Sequence, residues 1–62
     1  MDNAAIVQKV MNELKNINKD ELTRAELNIA EVLVQARKME WVRIGEEEDK
    51  YSTYELKEIY LN

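Results

Sequence analysis

Apolar residues near the start of the chain recur at three- and four-residue spacings: Ile6, Val7, Val10, Met11, Leu14 and Ile17. That period predicts an amphipathic helix from about Asn3 to Ile17. At about 100° per residue the six positions fill one arc of roughly 140°. Gln8, Lys9, Asn12, Lys15 and Asn16 lie outside that arc. Asp2 or Asn3 can cap the start by accepting from a free amide. Asn16 to Glu21 is a polar break, of a length that makes the next helix an antiparallel neighbour.

Thr23 and Glu26 have the spacing of a capping box. They predict a second helix from about Arg24 to Met39 or Trp41. Arg24, Asn28, Glu31, Gln35 and Lys38 form one polar stripe about 80° wide. Two apolar arcs flank it. One holds Ala25, Ile29, Val32, Leu33, Ala36 and Met39. The other holds Leu27, Ala30, Val34 and Trp41, with Glu26 and Arg37 falling between the arcs. One small neighbouring helix covers one arc, not both. The second arc therefore calls for the C-terminal segment, a second subunit or a target protein.

Gly45 and the run Glu46, Glu47, Glu48 and Asp49 mark a break, since four adjacent like charges want solvent. The flanks Trp41–Ile44 and Lys50–Tyr54 are rich in β-branched and aromatic residues. They suit a short hairpin leaning on the helices. Ser52 and Glu55 have the spacing of another capping box, and Leu56, Ile59 and Tyr60 give a buried side. The last segment, about Thr53 to Leu61, is therefore read as a short helix. The competing reading makes Tyr51 to Leu56 strand throughout.

Composition narrows the chemistry. With 62 residues only one core can form, so 1–62 is a single domain. Chains this small usually need a disulfide, a metal or association. Cysteine and histidine are both absent, which excludes disulfides, thiolate chemistry and the common zinc sites. Association is the support that remains. Thirteen acids face nine bases, for a net charge of −4. The excess is spread along the chain: residues 1–31 carry six acids and four bases, residues 32–62 seven and five. Such a charge disfavours broad contact with nucleic acid or an anionic membrane. No apolar run approaches transmembrane length, and no signal-peptide pattern opens the chain. A cytoplasmic location is the expectation.

The residues for catalysis are missing. Ser52, Thr23 and Thr53 are the only hydroxyl nucleophiles apart from tyrosines, and no histidine can serve as their base. One glycine cannot build a phosphate-cradling loop. The acidic run lacks the alternating pattern of a calcium loop. No catalytic, metal or cofactor site is expected.

The reading that follows is mainly α: an antiparallel helical hairpin, a short β-hairpin or extended segment, and a short C-terminal helix, completed as a dimeric helical bundle. Its expected function is stoichiometric binding of a protein target with a basic surface, alongside self-association. Leu27, Ala30, Val34, Arg37 and Trp41 are the interface candidates, since the second arc needs cover and a rigid tryptophan side chain buries much area. Glu46, Glu47, Glu48 and Asp49 form a candidate acidic contact loop, able to imitate a phosphate backbone. A small DNA-binding regulator is the alternative class, as a helix pair followed by a hairpin has the outline of a winged helix–turn–helix module. A third class is a subunit that stabilises a larger assembly.

Overall fold

A computed structural model describes residues 2–45 and 53–60. The order is helix α1 (Asn3–Leu14), a 3₁₀ turn (Lys19–Glu21), helix α2 (Arg24–Gln35), strand β1 (Met39–Ile44) and strand β2 (Thr53–Glu58). The protein is thus a small mixed α/β unit, two helices followed by a two-stranded antiparallel sheet.

Local chemistry sets the helix starts. The Asp2 carboxylate accepts from the Ala4 amide at 3.0 Å. Thr23 and Glu26 close a full capping box, with bonds of 3.1 and 2.8 Å. Hydrogen bonding to Thr23 holds the Glu26 carboxyl below the usual glutamate range. The 3₁₀ turn sits inside the polar break, where the Asn18 side chain accepts from the Asp20 amide.

The two strands pair with Trp41 opposite Leu56 and Met39 opposite Glu58. Beyond the strands, the Ile59 amide donates to the Lys38 carbonyl at 2.9 Å and extends the register by one pair. The other edge of β2 is tied to the link between the helices. The Asn16 amide donates to the Leu56 carbonyl at 2.9 Å, and Asn18 forms a bridge with Glu55. Lys57 reinforces this edge, donating to the Asn16 side chain at 2.6 Å and to Glu55 at 3.1 Å. Asn16 adopts a φ of 66° there, a conformation asparagine tolerates better than most residues. A two-stranded hairpin is marginal alone, and these contacts supply its anchorage.

The core lies between one sheet face and the inner sides of both helices. Its members are Met11, Leu14, Leu22, Ala30, Leu33, Met39 and Leu56, with Val7, Val10, Ile17, Leu27, Val34 and Trp41 packed around them. Ala30, Met39 and Leu56 have no exposed surface.

Four expectations are corrected. The helices do not form a helical hairpin that a dimeric bundle completes, because the sheet supplies their floor. The C-terminal helix does not exist: Thr53–Glu58 is strand. Six residues are short enough to satisfy either period, and pairing with β1 on one side and Asn16–Asn18 on the other selects the extended form. Glu55 therefore lies within a strand and is not the third residue of a helix, while Ser52 lies outside the described residues. Both helices also end early. α1 stops at Leu14 rather than Ile17, and α2 at Gln35 rather than Met39 or Trp41. Met39 and Trp41 belong to β1 instead. The tip expected at Glu46 to Asp49 falls outside the described residues.

Candidate functional site

α2 meets the rest of the chain with one side only. Leu27, Ala30, Leu33 and Val34 span an arc of about 120° on the helical wheel. These are the residues of α2 that belong to the core or pack against it. The arc combines most of one predicted stripe with Leu33 from the other. On the far side, Ala25, Ile29, Val32 and Ala36 fall within about 60° of one another. All four are exposed, Val32 at 65% and Ile29 at 45%. Their spacing of four, three and four is that of a seam that receives another helix. The stripe is flanked by Asn28 and Gln35 on one side and by Glu26 beyond Leu33 on the other.

The five predicted interface residues separate accordingly. Ala30 is fully buried, while Leu27, Val34 and Trp41 are half-buried against the core. Lys19 lies over the Trp41 ring, with Nζ 4.9 Å from its centroid. That contact is a cation–π pair between the 3₁₀ turn and β1. Arg37 is exposed. Glu46, Glu47, Glu48 and Asp49 lie outside the described residues.

No family model, curated protein or solved structure matches the chain. No helix among the described residues is long and apolar enough to cross a membrane.

At its C-terminal end the outer stripe of α2 runs into a cleft. Ala36 belongs to both. The cleft has a volume of about 620 Å³, within the range typical of ligand pockets. Val7, Met11, Ala36 and Ile59 form its apolar lining, and Arg37, Lys38 and Glu58 bring charge to it. Glu58 is held in place by several long contacts: Gln8 at 3.4 Å, Tyr60 at 3.3 Å and Lys15 at 3.9 Å. Its side chain is 13% exposed.

Sequence reasoning missed Ile29, Val32 and the cleft. The apolar spacing shows two arcs on α2 but carries no signal for which arc meets a sheet. The cleft joins one side of α1 from Asn3 to Met11, the turn after α2 and the end of β2. No local pattern brings those three together.

Proposed function

We propose that this protein is a stoichiometric protein-binding module, which docks a partner polypeptide along the outer stripe of α2. The observation that carries the reading is the exposure of Ile29 and Val32 side by side on a helix whose opposite face already fills the core. Isolated surface apolar residues are ordinary; a row at helical spacing that ends in a cleft is a shape another chain can fill. Binding without catalysis suits the residue types available, and a cytoplasmic setting suits the absence of cysteine.

The partner is a different polypeptide rather than a second copy. Pairing α2 with its own copy covers four stripe residues a side. A stable interface needs about 800 Å² from each partner. A partner that follows the stripe into the cleft covers more surface than a second α2 does.

The test is capture of partners from the native cell, using wild type and Val32→Asp as parallel baits. A partner retained by wild type and lost by the variant, with the two chains giving the same circular dichroism and melting midpoint, supports the reading. Identical capture by both baits overturns it.

One observation favours the DNA-binding alternative. The isolated Asn18–Glu55 bridge lies between the helices, giving the order helix, bridge, helix, hairpin, the outline of a winged helix–turn–helix module with an incomplete three-helix core. The polar stripe of α2 carries Arg24, Asn28 and Gln35, but also Glu31. Its flank bears Ile29 and Val32, which have no use against phosphate. Duplex binding that weakens steeply with salt would favour this alternative.

A further inference from the structure

Arg37 stands where the backbone asks for glycine. α2 ends in a complete Schellman motif: the Arg37 amide donates to the Val34 carbonyl and the Lys38 amide to the Leu33 carbonyl, both at 3.0 Å. This turn needs a left-handed residue, and Arg37 has a φ of 60°. Glycine takes that conformation without a Cβ penalty, and arginine does not. Among the described residues Asn16 is the other non-glycine residue with positive φ. There the residue type suits the turn, and its side chain accepts from Lys57. Arg37 has no such compensation. Among the described residues neither Arg37 nor Lys38 makes a side-chain hydrogen bond or an ion pair. Lys15, Lys19 and Lys57, by contrast, meet Glu58, Trp41 and Glu55. Strain held by a side chain that the fold does not use points to a use outside the fold.

Both cations line the cleft. Glu58 lines it too, but Lys15 lies 3.9 Å from its carboxylate, so Arg37 and Lys38 are the lining cations left for a ligand. Two such cations beside an apolar wall suit a carboxylate carried on a polypeptide. The apolar lining suits an aliphatic neighbour on the same ligand. We propose that the cleft receives an acidic side chain of the partner polypeptide, with the carboxylate held by Arg37 and Lys38. An aliphatic residue beside that acid would rest against Val7, Met11 and Ile59. This rests on the protein acting by binding a polypeptide, but it assigns a different patch from the stripe.

The test is a titration of the ¹⁵N-labelled full chain, followed by its amide resonances. The probes are acetyl-Leu-Glu-Leu-amide, acetyl-Leu-Gln-Leu-amide and a short DNA duplex. The glutamate peptide is expected to shift the amides of Arg37, Lys38, Met11 and Ile59 saturably, with a Kd in the millimolar range. The glutamine peptide should bind about tenfold more weakly, the loss expected for a charge-assisted contact. Arg37→Gly should weaken the glutamate peptide by a similar factor while its melting midpoint rises. Lys38→Gln, which leaves the turn's backbone alone, should also weaken it. Lys9→Gln, a cation on α1 that does not line the cleft, should leave peptide binding unchanged. The peptides read the cleft and partner capture with Val32→Asp reads the stripe, so the two failures are told apart. The proposal is overturned by the absence of saturable shifts up to about 10 mM. It is equally overturned by equal binding of the two peptides, by an Arg37→Gly chain that binds like wild type, or by a duplex that moves these amides in preference.

Discussion

The amide of Asn16 donates to the carbonyl of Leu56, joining the end of α1 to the outer edge of β2. On its opposite edge the same stretch of β2 pairs with Trp41. Leu56 is thereby held in the middle of the structure, between the helix link and β1, with no exposed surface.

Leu56→Ala should therefore be among the most damaging single changes. Removing a fully buried leucine side chain costs about 2–5 kcal/mol. Against the small total stability of a domain this size, that loss should leave much of the chain unfolded at room temperature. Urea denaturation followed by circular dichroism checks it. A loss below about 1 kcal/mol would contradict the packing described.

The two sides of α2 should respond oppositely to charge. Ala30→Asp places a carboxylate in the core and should abolish folding. Val32→Asp lies on the outer stripe and should change stability by no more than about 0.5 kcal/mol. Thermal melts of the pair separate the sides. Equal damage from both would mean that α2 is rotated from the orientation described.

Arg37→Gly should stabilise the free protein by about 0.5–1 kcal/mol, because the left-handed turn no longer carries a Cβ. Glycine's greater freedom in the unfolded chain offsets part of the gain. Arg37→Ala keeps the Cβ and should give no such gain. Denaturant midpoints of the two variants decide the matter.

The capping box of α2 should give a pH signature. Thr23→Ala should cost about 1 kcal/mol. The Glu26 carboxyl lies below its ordinary range because the Thr23 backbone amide and hydroxyl hydrogen-bond to it. Its contribution is fully present above the unfolded glutamate pKa. It is lost as pH falls through the lower, folded value. Glu26→Gln should be less stable at neutral pH and should show a shallower decline on acidification. Melting midpoints across the acid range test this, and parallel curves for the two proteins would refute it.

The free chain should sediment as a monomer of 7.3 kDa. A dimer at micromolar concentration would move the occupant of the α2 stripe from a foreign partner to a second copy.

Much of the helical part was legible in the residues. The spacing of Ile6, Val7, Val10, Met11 and Leu14 marks α1, and Thr23 with Glu26 marks the start of α2. These features depend on neighbours within four residues, which is the range that hydrophobic period and capping act over. The ends were less legible. No glycine or proline stands among the nine residues after Gln35, and the apolar spacing runs on through Ala36 and Met39, so nothing local announces the left-handed turn at Arg37. The bond between Ile59 and Lys38, residues far apart in the chain, draws the backbone into β1 instead.

The sequence by itself determined two amphipathic helices, the first cap of each and a hairpin-forming region after them, because each rests on short-range contacts. Tertiary structure alone decided three matters. Thr53–Glu58 became strand because β1 and the Asn16–Asn18 link pair with it from both sides. Leu27, Ala30 and Val34 turned inward because a sheet, rather than a second subunit, lies beneath them. Ile29 and Val32 were left outside for the same reason: one small sheet covers one face of a helix, and two apolar faces were present.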